Sequence, residues 1–202
     1  MTKRGAPPAF ETHHVLAALY AVRDEGRIGR KELARRLLIG EGTCRGIVEV
    51  LRARKLISVS KGGIKLSRRG IYFIDSLPFA QAQVELITLG LSDYAYAIAM
   101  RDHARFVRTG IEQRDDAVKA GAVGATSLVC ENGRLRFPDH TPLAQQFEED
   151  EALLIVGFKP IEGDLIIIGY GRSEESARLG AFAAAAGVIY TPILSDEGCA
   201  KD

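Results

Sequence analysis

The feature that most constrains the fold is a glycine-marked turn between two amphipathic helices in RLLIGEGTCRGIVEVLRARKLI, residues 36–57. Gly40 and Gly42 can adopt the positive φ angles that a sharp reversal of the chain needs. The helix after the turn is predicted to begin near Thr43 and to end at about Lys55. Its apolar residues follow the i, i+3, i+4, i+7 pattern of one buried face: Cys44, Ile47, Val48 and Leu51. The segment therefore predicts a helix-turn-helix.

The flanking segments extend this prediction to a winged helix-turn-helix over residues 1–77. Upstream, Thr12 is predicted to cap a first helix that ends at Gly26, and RIG is short enough for a single β-bridge. Downstream, the β-branched runs LISVS and IKLS are joined by the turn KGG, which is typical of a β-hairpin. RRGIYFIDSL would close the domain as a helix or an extended arm.

The side of the third helix opposite its apolar stripe carries residues suited to a DNA duplex. A helix fits the major groove, where arginine can bond guanine in a bidentate manner and Glu49 could accept from cytosine or repel a phosphate. Basic residues at the start of the second helix and in the wing are placed for phosphates. The predicted DNA-binding residues are Arg30, Lys31, Thr43, Arg45, Glu49, Arg52, Lys61 and Lys65. A winged helix used for protein contacts is the alternative.

The distribution of charge also separates the two parts of the chain. Residues 1–77 carry 16 Lys and Arg against 7 Asp and Glu, a balance of +9, whereas the remainder carries 11 against 19, a balance of −8. A basic part beside an acidic one indicates a polyanionic partner for the first part and a different role for the second. Chance segregation on two solvated surfaces would give the same numbers.

Two stretches resemble known families. Residues 28–70, IGRKELARRLLIGEGTCRGIVEVLRARKLISVSKGGIKLSRRG, resemble the DNA-binding domain of the bacterial central glycolytic gene repressor and of many archaeal winged-helix regulators. Two segments are similar to the C-terminal domain of a poorly characterised archaeal family of two-domain winged-helix proteins: TGIEQRDDAVKAGAVGATSLV and GRLRFP. The resemblance implies a regulatory role and supplies no catalytic residues.

Residues 78–202 are predicted to form an α+β domain with a mostly antiparallel sheet, beginning at Pro78. VELITLG and YAYAIAM are candidate strands, and Asn132–Gly133 is a two-residue hairpin turn. EALLIVGF and GDLIIIGYG are predicted as strands of a second hairpin joined by KPIEG. Helices are predicted in GIEQRDDAVKAG and in SEESARLGAFAAAAG, the latter capped by Ser173. Such a domain commonly holds a small ligand or builds a dimer.

The densest polar stretch of this second part is a candidate ligand site. An anion could bind where glycine-framed backbone N–H groups meet Arg108 or Arg114. The candidate ligand-binding residues are Arg108, Gly110, Gln113, Arg114, Asp115, Gly124 and Thr126. A solvated helix face with a local Asp115–Lys119 ion pair is the favoured alternative.

Motifs for catalysis or for a metal are not found, so no enzyme, cofactor or metal ion is predicted. The acidic run Glu148–Glu151 is interpreted as a solvated loop. Three widely spaced cysteines, the absence of a long apolar run and an N-terminus without a signal-peptide core predict a cytoplasmic location. The sequence predicts a dimeric transcriptional regulator of double-stranded DNA with a possible small-molecule effector. A small enzyme or metabolite-binding module using its winged helix for protein contacts is the alternative.

Overall fold

The computed structural model describes residues 10–189, and the chain divides into two compact units, Met1–Leu77 and Pro78–Asp202. The first unit has the element order of a winged helix. Its elements are α1 (Thr12–Glu25), α2 (Arg30–Arg36), α3 (Glu41–Ala53), β1 (Ile57–Ser60), β2 (Gly63–Leu66) and α4 (Arg68–Asp75).

The core of the first unit is built around α1, which is buried from Val15 to Val22 and packs against α2, α3, α4 and β2. The wing is the antiparallel pair β1–β2, and Ile28 adds the predicted single bridge by exchanging backbone hydrogen bonds with Ile64 at 3.0 and 2.8 Å. Gly70 lets α4 lie directly on the end of the wing, because a Cβ there would be 2.0 Å from the carbonyl oxygen of Leu56. The closing segment is thus a helix.

Two helix starts differ slightly from the prediction. The cap of α1 is Glu11 rather than Thr12, because Glu11 has the extended backbone and its N–H donates to His14 Nδ1 at 3.2 Å. Helix α3 begins at Glu41, two residues before Thr43, since Gly40 takes the extended cap conformation. The positive φ expected of Gly40 and Gly42 is therefore wrong: Gly40 has φ −68°, Gly42 lies inside α3, and Leu38 takes the positive φ of 54° in this turn. Both differences lie at helix ends, where a hydrophobic pattern gives no information.

The second unit is a five-stranded antiparallel sheet with helices on both faces, in the strand order β3-β4-β7-β5-β6. The α+β class and the mostly antiparallel sheet are therefore confirmed. Its elements are β3 (Phe79–Val84), β4 (Tyr94–Met100), a 3-10 turn (Ala104–Phe106), α5 (Ile111–Lys119), β5 (Gly124–Glu131), β6 (Arg134–Arg136), α6 (Ala144–Phe158), β7 (Leu165–Gly171) and α7 (Glu174–Ala186).

The central strand β7 is buried along its whole length because helices cover both faces of the sheet. Ile166, Ile168 and Tyr170 belong to the core that also holds Leu154 and Phe158 of α6. On the opposite face a Cβ on Gly169 would lie 2.4 Å from the backbone nitrogen of Ala181, so α7 rests directly on the strand. The glycines and alanines of this region thus set a short distance between helix and sheet.

The prediction of EALLIVGF as a strand is wrong, because residues 151–158 form the second half of α6. The predicted second hairpin is therefore replaced by a helix that connects β6 to β7. The acidic run Glu148–Glu151 lies in the same helix and not in a loop. The strand predicted in VELITLG is also wrong, because only its first residue, Val84, belongs to β3, and residues 85–90 form no strand. A short segment that is apolar on all sides has no periodicity to separate a strand from a helix.

Within residues 10–189, no helix is long and apolar enough to cross a bilayer.

Candidate nucleic-acid interface

Helix α3 presents a polar, cationic side that its core contacts leave open. Cys44, Ile47 and Leu51 are fully buried, whereas Arg45, Glu49 and Arg52 are exposed. At about 100° per residue, the three exposed side chains fall within an arc of about 60°. Neither Arg45 nor Arg52 forms an ion pair in the described part of the chain. This side of α3 therefore offers two uncommitted guanidinium groups.

Thr43 does not share the side of α3 that carries Arg45, contrary to the prediction. It is half-buried, and it lies roughly 160° around the helix from Arg45. Phe10 further narrows the open side, because a Cβ on Gly46 would be 3.0 Å from Phe10 Cε1. The outward arc is therefore smaller than the hydrophobic pattern alone predicts.

Two short connections bring the predicted phosphate contacts close to α3. The thiol of Cys44 donates to the carbonyl oxygen of Arg30 at 3.6 Å, which ties α3 to the first turn of α2. Ile28, two residues before Arg30, pairs with Ile64, the neighbour of Lys65 in the wing. Burial raises the pKa of Cys44 to about 11, so the thiol stays protonated and serves the packing of this junction.

The basic residues of the first unit fall into two groups. Arg35 pairs with Glu32 at 2.7 Å, and Arg36 pairs with Glu25 at 2.5 Å and with Glu32 at 3.2 Å. Hydrogen bonds from these two guanidinium groups lower the pKa of Glu32 to about 2. The predicted phosphate contacts are instead exposed and form no ion pair within residues 10–189: Arg30, Lys31, Lys61 and Lys65. Positive charge is thus neutralised on one side of α2 and left available around α3 and the wing.

The predicted ligand residues of the second unit do not form one site. Gly110 has φ +78° at the start of α5, and a Cβ there would be 3.4 Å from the Cβ of Ser127. Gln113 and Ser127 are 5% and 4% exposed, and Gln113 Oε1 and Ser127 Oγ have no hydrogen-bond partner in the described residues. Ser127 was missed by the sequence reasoning, since a lone serine inside an apolar strand has no distinguishing pattern.

The remaining predicted ligand residues lie elsewhere. Thr126 faces the opposite side of the sheet, where its hydroxyl accepts from Tyr170 at 3.2 Å. Gly124 has the same strand parity as Thr126 and lies near Leu91. Three others are exposed around the first turns of α5: Arg108, Arg114 and Asp115. The predicted cluster thus divides between two faces of the sheet.

A cavity of about 310 Å³ lies in the β3–β4 loop, and none of the predicted ligand residues lines it. Its walls include Glu85, Ser92 and Asp93. The loop is held by Asp150, whose carboxylate accepts the backbone N–H groups of residues 87, 88 and 89 at 2.6, 2.9 and 2.7 Å. Burial would raise the pKa of Asp150, but these hydrogen bonds outweigh it and the pKa is lowered. Within residues 10–189, no group of three His, Cys, Asp or Glu side chains could hold a metal ion.

Comparisons with known proteins agree with the two-part organisation. Residues 14–79 match the family described as CggR N-terminal DNA binding domain, and residues 91–188 match a domain of unknown function, DUF4443. A solved structure described as a hypothetical protein from Pyrococcus horikoshii OT3 is 27% identical, with a TM-score of 0.71 over 91% of this chain and 97% of that chain. No curated protein matches. The resemblance to a two-domain, archaeal regulator-like family is thereby confirmed.

Proposed function

We propose that the chain is a DNA-binding transcriptional regulator whose helix α3 enters the major groove of duplex DNA. The observation that carries the proposal is the pair of exposed guanidinium groups, Arg45 and Arg52, which lie on one side of α3 without an ion pair in the described residues. The match of residues 14–79 to a DNA-binding domain supports the same reading.

The proposed contacts divide by chemistry. Arg45 lies nearer the N-terminal end of α3 and reads a base edge, since the first turns of a recognition helix reach deepest into the groove. Lys61, Lys65, Arg30 and Lys31 contact phosphates and release counterions. Glu49, between the two arginines, accepts from a cytosine amine or excludes a phosphate from that position.

The proposal also assigns a role to the second unit, which dimerises and senses a small molecule. One winged helix reads few bases, so two copies on a symmetric site add specificity and effective concentration. The two buried oxygens without partners near Gly110, on Gln113 and Ser127, support a ligand contact at the start of α5. A ligand that prefers one dimer geometry would then shift the DNA affinity. Catalysis is not part of the proposal, and the proposed compartment is the cytoplasm.

Selection from a random duplex library, followed by mobility shift, tests the proposal with the full chain. We expect one enriched motif. Arg45→Ala is expected to cost about 1–3 kcal/mol on that motif and to relax the base preference at one position. Arg35→Ala is the matched control, because Arg35 is an exposed arginine of the same unit that already pairs with Glu32. The absence of an enriched motif at any salt concentration would overturn the proposal. An Arg45→Ala loss that is equal on random DNA would remove Arg45 from base reading.

A further inference from the structure

Helix α6 exposes an apolar side that the described residues of its own unit leave uncovered. Leu154 and Phe158 are buried against the sheet, but Leu153 and Val156 on the outer side are 48% and 73% exposed. Ala152 and Gly157, beside them, are exposed too. This outer α6 face lies after the kink at Phe147 and is three turns long. A helix that is apolar on all sides is normally buried on all sides.

The two ends of the outer α6 face carry opposite charges. Glu148 and Glu149 are exposed in the first turn after the kink, and Lys159 is exposed where the helix ends. None of the three forms an ion pair in the described part of the chain. The two acids between them are used internally: Asp150 holds the β3–β4 loop, and Glu151 pairs with Arg134 at 2.6 Å. The unpaired charges of this part of α6 therefore lie at the ends of its exposed apolar side.

We propose that the outer α6 face is the interface with a second copy of this chain, in which the two α6 helices pack antiparallel about a two-fold axis. With the axis beside position 154, Glu149 of each copy lies opposite Lys159 of the other. The same register places Ala152 opposite Val156, a small side chain against a larger one. A two-fold interface uses the same surface on both copies, so each match occurs twice.

The charges discriminate against other arrangements. A parallel pair would place Glu149 against Glu149, and like charges in contact are unfavourable. A nucleic acid does not fit this face, because phosphates would meet Glu148 and Glu149. This interface rests on the proposed function, because it supplies the dimer that a symmetric DNA site requires. Dimerisation itself can be measured without DNA.

Sedimentation velocity of the full chain, diluted from about 100 to about 1 µM, tests the interface. We expect a reversible dimer for the wild type. Val156→Glu is expected to raise the dissociation constant at least about ten-fold, which corresponds to about 1.4 kcal/mol, because the new carboxylate would be buried against Ala152 of the other copy. Val118→Glu is the matched control, since Val118 is a 46% exposed valine on α5, and it should leave the constant unchanged. A monomeric wild type at the highest concentration, or an equal effect of both variants, would overturn the interface.

A charge exchange tests the antiparallel register. Glu149→Lys and Lys159→Glu should each weaken the dimer, and the double variant should recover most of the loss, because the pair is re-formed with reversed signs. Additive losses in the double variant would refute the register. This test can be distinguished from the test of the proposed function. A Val156→Glu chain that becomes monomeric and still binds a half-site duplex in a mobility-shift experiment supports both the interface and the DNA-binding role. A dimer that prefers no duplex would refute only the DNA-binding role.

Discussion

His13 connects burial in α1 with the pH dependence of stability. Its side chain is 6% exposed, and its Nε2 has no hydrogen-bond partner in the described residues. Burial first, and then the neighbouring His14 ring with its centroid 4.1 Å away, lower the pKa of His13 to about 4. An unfolded chain takes up the proton near the ordinary pKa of about 6.5. The unfolded state therefore binds more protons between these two values, and stability falls as the pH decreases through that window.

Replacement of His13 by glutamine should reduce this acid sensitivity. We expect the wild type to lose on the order of 2 kcal/mol from His13 alone between about pH 7.5 and about pH 5. His13→Gln should lose less over the same interval, although His14, whose pKa is also lowered, continues to contribute. Urea unfolding followed by circular dichroism at the two pH values measures the difference. Equal losses in both proteins would show that His13 takes up its proton without unfolding.

Asp150 is the residue on which the β3–β4 loop depends. It is fully buried, and its two oxygens accept three backbone N–H groups and the hydroxyl of Thr88. Asp150→Asn places an amide donor against these donors, so we expect a loss of about 2–4 kcal/mol in the free energy of unfolding. Asp115→Asn, on an exposed turn of α5, is the control and should change little. Guanidinium unfolding curves provide the comparison, and an unchanged midpoint for Asp150→Asn would contradict the role.

At the scale of elements, the wing and α3 are expected to contact different parts of a DNA duplex, the phosphates and the bases respectively. Lys61 lies in the two-residue turn between β1 and β2, and its charge is exposed. A phosphate contact carries no sequence information, so Lys61→Ala should weaken binding to all duplexes about equally and reduce the salt slope by about one. Fluorescence anisotropy titrations at several salt concentrations measure this slope. Lys119→Ala, in the second unit, should leave it unchanged, and a base-specific loss for Lys61→Ala would place the wing in a groove instead.

The sequence predicted best those elements whose structure is determined by neighbouring residues, and predicted less well those that depend on distant contacts. The winged helix depends on apolar spacing within α3 and on the short turn of the wing, and both can be read from neighbouring residues. Helix α6 depends on partners far along the chain, since its residue Asp150 binds a loop about sixty residues away. The apolar outer side of α6 also hides the helical period of its hydrophobic residues. Hydrophobic spacing likewise predicted the exposed arc with Arg45 and Arg52. It misplaced Thr43, which is half-buried and lies roughly 160° around the helix from Arg45.

At the scale of the whole molecule, the charge division and the outer α6 face lead to one expectation. In the proposed function, the basic first part, with its balance of +9, supplies the attraction to DNA, and the acidic second part, with its balance of −8, adds none. Under the proposed dimer, affinity beyond one half-site comes from linking two copies. The gain from a second half-site is set by effective concentration rather than by new contacts, and it disappears when the link is broken.

Duplexes with one or two copies of the selected half-site separate these contributions. The wild type should bind the two-site duplex much more tightly than the one-site duplex, provided that the spacing is close to a whole number of helical turns. Val156→Glu should lose that gain and keep the one-site affinity, because Val156 lies in the acidic unit and not on the proposed DNA-binding side of α3. Val118→Glu should behave as the wild type. If Val156→Glu kept the full gain while sedimenting as a monomer, the DNA itself would provide the coupling, through contacts between adjacent winged helices.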